Sequence, residues 1–405
     1  MKVLVADKFE KVGIDGLKEL GCTVVVEPDV KAEDLPARIK EVDPHILIVR
    51  GKKVTGDALR AGTALTLVIR AGAGIDTIDV NAASGLGVFV SNCPGKNSIA
   101  VAELVLGLLL SMDRRIPDQA ADLRNGKWGK GEYSKARGLY GRTLGIVGLG
   151  QIGREVAARA RAFGMKVVAW SRSLTHEEAD RLGIEYALTP LEVARLSDAV
   201  TVNVAANADT KNLVNADFLA AMRPGAYLIN TSRGSVVDEA ALAKAVREKG
   251  IRAGLDVFQN EPAGGSGEFG NPIVQVPGVY GTHHVGASTE QAQVAIAHEV
   301  IRIVQAFRDT GQVPNVVNRL ARSSATHVLT IRHRNRPGVL AHVFSVLAGA
   351  AINVEEVENI IYHGAQATLA RIHLDGEPTN GALERIRSGN ADIISAELSE
   401  IDGRG

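Results

Sequence analysis

The segment GLGQIG, Gly148 to Gly153, spaces three glycines so that a backbone can wrap a phosphate. It follows the apolar run TLGIV and precedes a stretch of helical periodicity. Gly148 permits a tight turn, Gly150 leaves the main chain open to a pyrophosphate, and Gly153 lets a helix pack close to the preceding strand. Gln151, Ile152 and Gly153 begin that helix, whose free N–H groups and positive dipole end attract phosphate. The pattern predicts a dinucleotide site. A second strand, KVVAWSR, follows, and at its end this fold usually carries an acid for the ribose hydroxyls of NAD. Here the chain offers Ser171 and Arg172. Serine removes the repulsion of a 2′-phosphate, and arginine can pair with one through its planar fork. The cofactor is therefore read as NAD or NADP, and these two residues lean toward NADP.

Further along, NTSRGSVVDEAAL puts Arg233 just past a strand, where open α/β sheets hold ligands. An arginine there can clamp a carboxylate in two parallel hydrogen bonds. LDVFQNEP and GTHHVGAST supply Glu261 and the adjacent pair His283 and His284. A carboxylate on an imidazole fixes its tautomer and favours its protonated form, which suits a general acid–base near neutrality. Residue types alone do not choose between the two histidines. RGKKVT adds Arg50, Lys52 and Lys53 on another strand-end loop, a local cationic patch.

These groups need a frame. KVLVAD, TVVVE, HILIVRG, LTLVIRAG and GVFVSN predict strands in the first hundred residues, alternating with helical stretches. The rhythm restarts with TLGIVGLG, KVVAWSR, DAVTVNV, AYLINTSRG and IRAGLDVF, separated by helices such as 151–163 and 238–249. Near-continuous apolar strands suit parallel sheets buried on both faces. The fold class is α/β: two doubly wound parallel-sheet domains, followed by a small α+β domain. IAVAELVLGLLLSM, residues 99–112, is broken by Glu103 and too short to span a bilayer, so it predicts a buried helix. Residues 260–272 form a glycine-rich loop, and a long helix ends near Gly311. From about Thr326 the order strand, loop, helix, strand, strand describes the last domain.

The 405 residues carry 46 basic and 46 acidic side chains, so no global charge draws the chain to nucleic acid or an anionic membrane. Two cysteines, Cys22 and Cys93, exclude a disulfide framework or a paired-cysteine metal site and fit a reducing, cytoplasmic setting. No metal is expected.

Residues 1 to about 318 resemble the D-isomer-specific 2-hydroxyacid dehydrogenases. The segments RAGAGID, NSIAVAELVLG, GRTLGIVGLGQIGREVAARARAFGMKV, NTSRGSVVDEAAL, AGLDVFQNEP and GASTEQAQ follow in that family's order. The resemblance implies a substrate domain of residues 1–98 and 287–318 and a Rossmann-type cofactor domain of 99–286, with catalysis in the cleft. The family's Thr-Pro-His before GAST aligns its catalytic histidine with His284 and puts His283 where the proline stands. Glu261 is then its partner and Arg233 the carboxylate clamp. The resemblance also implies that Asp256 holds the nicotinamide carboxamide and that Thr231 and Gly286 line the cofactor. Backbone around Gly72, Ala73 and Gly74, with the Asn97 amide, would meet the substrate.

After a linker at 319–325, residues 326–405 resemble the ACT regulatory domain of the family's bacterial phosphoglycerate dehydrogenase branch. The matching stretch is RHRNRPGVLAHVFSVLAGAAINV. In that domain a His-x-Asn pair and a later asparagine bind L-serine at a dimer interface, here His333, Asn335 and Asn353. The resemblance implies oxidation of 3-phosphoglycerate to 3-phosphohydroxypyruvate, the first step of L-serine biosynthesis. Serine would be the effector, Arg50 and Lys53 would sit near the phosphate, and the assembly would be a homodimer or homotetramer. The alternatives are an NADPH-dependent glyoxylate/hydroxypyruvate reductase or other D-2-hydroxyacid dehydrogenase and, in another class, a nucleotide-sensing corepressor-like regulator.

Overall fold

The apolar runs become strands because their side chains are covered on both faces. The computed structural model describes residues 1–262, 267–320 and 323–401. Its first sheet holds β1 (Lys2–Val5), β2 (Thr23–Val26), β3 (Ile46–Val49), β4 (Leu67–Arg70) and β5 (Phe89–Asn92). All are parallel, in the order β2-β1-β3-β4-β5. Every residue of β3 is buried. The long helix Glu290–Thr310 returns to this sheet, and its Ile296, Val300, Ile303 and Val304 share a core with Val3, Val5, Ile46 and Leu67.

The second sheet holds β6 (Thr143–Val147), β7 (Lys166–Trp170), β8 (Glu185–Tyr186), β9 (Ala199–Val202), β10 (Tyr227–Asn230), β11 (Arg252–Leu255) and β12 (Val279–Gly281). It is parallel, in the order β12-β11-β10-β9-β6-β7-β8. The strand order reverses between β6 and β9, and such a switch point opens a crevice at the carboxyl ends of the strands. The two-residue β8 and the edge strand β12 were not among the expected strands. The helix Ser98–Arg114 packs its Val105, Leu109 and Met112 into this second core, with Glu103 turned outward. The chain thus passes between the sheets near 93–97 and again near 282–289. Residues Met1–Asn318 form one compact unit.

Arg319–Gly405 form a second unit. It contains β13 (His327–Arg334), the helix Val339–Gly349, β14 (Val354–Ile361), β15 (Ala367–Leu374), the helix Asn380–Ser388 and β16 (Ile393–Glu400). The sheet is antiparallel, in the order β14-β15-β13-β16. The closing helix and β16 extend the expected pattern. Ala382, Leu383 and Ile386 are all that this helix buries, too narrow a stripe to announce it. Parts of three expected segments lie outside the described residues: 263–266 of the glycine-rich loop, 321–322 of the linker and 402–405 of the last domain.

Candidate active site

Both sheets of the first unit present their carboxyl ends, and every side chain singled out there follows a strand end. Arg50 follows β3, Gly72–Gly74 follow β4, Gly148 follows β6, Ser171 follows β7, Arg233 follows β10, Asp256 follows β11 and His284 follows β12.

Of the two histidines, His284 meets the carboxylate. Its Nδ1 lies 2.7 Å from Glu261 Oε2. The other oxygen, Oε1, accepts the Phe258 N–H at 2.8 Å, which fixes the carboxylate plane. Burial alone would raise the Glu261 carboxyl. The hydrogen bonds from His284 and Phe258, and the charges of His284 and Arg233, hold it net below the ordinary value. An ionised Glu261 keeps a proton on His284 Nδ1 and leaves Nε2 as the free lone pair. His284 has a left-handed backbone (φ 53°), and its N–H donates to Asp256 O at 2.8 Å. His283 is exposed and, among the described residues, makes no side-chain hydrogen bond.

Asp256 was expected on the nicotinamide carboxamide. In the structure its carboxylate anchors a loop. Oδ1 accepts from Thr282 Oγ1 (2.6 Å) and Val285 N–H (2.9 Å), and Oδ2 accepts from Gly286 N–H (2.9 Å). At 1% exposure it is a buried anchor for the 282–286 loop that carries His284. Gly286, expected against the cofactor, is part of that anchorage.

Arg233 is half-buried and aimed at the first sheet's rim. It donates to Asp76 through Nε (2.9 Å) and Nη2 (3.2 Å), and Nη1 donates to Ser232 O at 2.7 Å. Gly74 makes room for it, since a Cβ there would lie 2.1 Å from Arg233 Nη2. Arg70, at the end of β4, was not anticipated. Its guanidinium lies over Gly72, where a Cβ would come within 1.6 Å of Nη1. Its Nε is buried without a hydrogen-bond partner among the described residues. Burial first, then the charges of Arg233 and Arg50, push its pKa below the usual value, against the opposing pull of Asp76. Arg50 reaches Ser288 Oγ at 3.4 Å, while Asp7 Oδ2 accepts the N–H groups of Arg50, Gly51 and Lys52 and pins the loop. Lys52 Nζ turns away to Pro28 O (3.3 Å), and Lys53 is exposed. Among the described residues the N–H groups of Ala73 and Gly74 make no hydrogen bond, and Asn97 Oδ1 is buried without one. Both Arg70 and Asp76 lie within RAGAGID, but the partner of Asp76 is 157 residues away.

The glycine loop has the shape a pyrophosphate needs. Gly148 has φ 99°, and a Cβ there would lie 2.7 Å from Asn203 O; one on Gly153 would lie 2.4 Å from Gly148 O. Gly150 faces open space at the start of the helix Gln151–Ala162. Beside this cradle Thr231 Oγ1 and Asn203 Nδ2 are buried without partners among the described residues, which is what groups awaiting a polar ligand show. A dinucleotide therefore fits these residues. Ile152 is half-buried, and the Gln151 side chain lies against Gly95 on the segment between the sheets. Ser171 is half-buried and Arg172 exposed. Arg172 has no ion-pair partner among the described residues, whereas Arg154 pairs with Glu178 and Arg181 lies 3.9 Å from it.

In the second unit the three expected effector residues are not brought together. His333 is 3% exposed with an unpartnered Nε2, opposite Thr368, whose Oγ1 is also unpartnered. Asn335 follows at the same end and donates to Ala365 O. Asn353 precedes Val354, which aligns through Leu374 with His327. That is the opposite end of β13, about 20 Å from His333.

No cluster of His, Cys, Asp and Glu suited to a metal, and no helix long and apolar enough to cross a membrane, is present among the described residues.

Residues 106–286 match the family described as D-isomer specific 2-hydroxyacid dehydrogenase, NAD binding domain. The chain is 38% identical over 320 residues to a D-3-phosphoglycerate dehydrogenase of Methanocaldococcus jannaschii. That match takes in 78% of the chain and 59% of the relative, so the chain spans under two thirds of that protein's length. A D-3-phosphoglycerate dehydrogenase of Archaeoglobus fulgidus is 31% identical over 98% of the chain and 74% of its own length. Among solved structures, an NADPH-dependent glyoxylate/hydroxypyruvate reductase of Sinorhizobium meliloti, crystallised with NADP and malonate, superposes with a TM-score of 0.67. It is 32% identical, over 78% of this chain and 96% of that one.

Proposed function

The chain belongs to the D-isomer-specific 2-hydroxyacid dehydrogenases, and from that premise we propose that it oxidises a phosphorylated 2-hydroxy acid, 3-phosphoglycerate, to 3-phosphohydroxypyruvate. The observation that carries this reading is the half-buried guanidinium of Arg70, which lies beside Arg233 and Arg50, has a buried, unpartnered Nε and no ion-pair partner among the described residues. A partly desolvated cation without a partner is costly, and clustering it with two more raises the cost. A substrate anionic at both ends offsets it. Its carboxylate takes Arg233, and its phosphate takes Arg70 and Arg50. Asp76 is the carboxylate paired with Arg233 in this cluster. Two of the relatives above are named D-3-phosphoglycerate dehydrogenase, which supports the same substrate.

His284 Nε2 removes the C2 hydroxyl proton, and Glu261 stabilises the imidazolium that forms. Arg233 holds the carboxylate and polarises the C2 oxygen as it becomes a carbonyl. Ala73 and Gly74 N–H groups and the Asn97 amide orient the remaining oxygens. A bound nicotinamide dinucleotide supplies the two-electron acceptor for the C2 hydrogen. Gly148–Gly153, Thr231 and Asn203 would hold that dinucleotide, and Arg172, exposed and without an ion-pair partner among the described residues, would be free to pair with a 2′-phosphate. That freedom favours NADP, as for the Sinorhizobium enzyme, and gives the reductase reading its one specific support.

The second unit serves as an L-serine-responsive dimerisation domain. β14 is a sheet edge whose Val357 and Ile361 are exposed, as is Tyr362 just beyond it. Antiparallel pairing of two such edges about a two-fold would carry Asn353 of the partner subunit to the end where Ile361, Thr368 and His333 align. The site would then be completed across the interface.

The test is the rate of 3-phosphoglycerate oxidation with NAD and with NADP, each with and without L-serine. Turnover with a preference for NADP and inhibition by serine would support every part. Turnover on glyoxylate or hydroxypyruvate alone would hand the site to the reductase reading.

A further inference from the structure

Arg233 and Asp76 stand on the rims of different sheets, 157 residues apart in sequence, and meet across the cleft. A guanidinium carries five N–H donors in one plane. Asp76 takes Nε and one hydrogen of Nη2, and Ser232 O takes one hydrogen of Nη1. Two donors remain, one on each terminal nitrogen, which together form the end edge of the fork. That edge matches the two oxygens of a carboxylate. Gly74 packs against the same group, and a Cβ there would also come within 3.1 Å of Asp76 Oδ1.

We propose that Asp76 is the positioning residue for Arg233: it occupies the Nε–Nη2 edge and so turns the Nη1–Nη2 edge toward the substrate carboxylate. The inference rests on the clamp role given to Arg233 above. Because the two residues belong to different sheets, the arginine is correctly aimed only when the halves of the unit approach as they do here. The Asp76 side chain is 58% exposed, and pairs so open to water add little to stability. The contribution of Asp76 is to direction. Burial opposes its ionisation, but Arg233 and Arg70 hold the carboxyl below its ordinary value, so it remains a charged acceptor at neutral pH.

The experiment compares Asp76→Ala, Asp76→Asn, Arg233→Lys and the double variant Asp76→Ala/Arg233→Lys in the full chain. Asp76→Ala should lose about a hundredfold in kcat/KM for 3-phosphoglycerate, the effect of an ångström-scale misplacement. Asp76→Asn, which keeps an acceptor for Nε, should lose less. Dinucleotide affinity and melting temperature should not change. On the Arg233→Lys background, removing Asp76 should cost less than about twofold, because the residue acts only through the arginine. Activity of Asp76→Ala near that of the unmodified chain would overturn the proposal, as would an equal further loss in the double variant. If the unmodified chain oxidises no 2-hydroxy acid, the proposed function fails, and calorimetric binding of oxalate then judges Asp76 separately. The proposal requires at least about tenfold weaker oxalate binding in Asp76→Ala. Equal affinity, or no oxalate binding by the unmodified chain, would refute it.

Discussion

Replacing Glu261 by glutamine tests the acid–base assignment most severely, because it changes charge and proton placement without changing shape. The carboxylate touches His284 Nδ1 at 2.7 Å and is itself fixed by the Phe258 N–H at 2.8 Å. A glutamine must satisfy the same two neighbours. If its oxygen accepts from Phe258, its NH₂ faces Nδ1, which puts the imidazole proton on Nε2 and removes the base. If it turns over, the NH₂ confronts the Phe258 N–H, donor against donor. Loss of a hydrogen bond between charged groups costs about 1.5–3 kcal/mol. His284 and Glu261 side chains are 46% and 31% exposed, so water weakens the pair and the lower half of that range applies. The wrong tautomer adds to it. The expected loss in kcat/KM is about 10- to 100-fold. Steady-state kinetics in both directions would read it, with dinucleotide affinity measured separately by fluorescence. Rates within twofold of the unmodified chain would refute the assignment, as would a loss confined to dinucleotide binding.

Arg70→Met should cut kcat/KM for 3-phosphoglycerate by about a hundredfold while holding or raising the melting temperature, since it removes a half-buried cation whose Nε is buried without a partner among the described residues. A lower melting temperature with intact activity would make Arg70 structural. Ser171→Asp should shift the coenzyme preference toward NAD by at least about tenfold by restoring the repulsion of a 2′-phosphate, and an unchanged NADP/NAD ratio would place the ribose elsewhere. Glu299, 5% exposed, is held by Arg302, Asn315 and Lys96, and the hydrogen bond from Arg302 leads in lowering its carboxyl from 4.5 to about 2. Such a group contributes stability that is complete above its unfolded pKa near 4.5 and is lost as pH falls toward about 2. Glu299→Gln should therefore destabilise the first unit at neutral pH by about 3 kcal/mol and flatten its acid dependence in denaturant titrations.

Apolar strands bounded by turn residues announced both parallel sheets, because burial on two faces leaves an unbroken signature. β8 and β12 escaped because two- and three-residue strands are set by neighbours rather than by their own pattern. Arg233, Glu261 and the pair His283 and His284 were recognisable from type and position, the family resemblance pointed to His284, and the structure brings His284 alone to the carboxylate. Asp76 and Arg70 were in view within RAGAGID but carried no mark of their task. What distinguishes them is a partner on the other sheet in one case and the lack of one in the other, and both are facts of tertiary packing. Asp256 was marked only by the family resemblance, and the three bonds it makes to the loop that carries the histidine became visible only in the structure.

The central claim is that this cleft selects a substrate anionic at both ends. It is tested most directly by the ratio of kcat/KM for D-3-phosphoglycerate to that for D-glycerate, in the unmodified chain at saturating dinucleotide. Two charge-assisted contacts to the phosphate, at about 1.5–3 kcal/mol each, predict a preference of at least about a hundredfold for the phosphorylated acid. Equal or better turnover of D-glycerate would contradict the account.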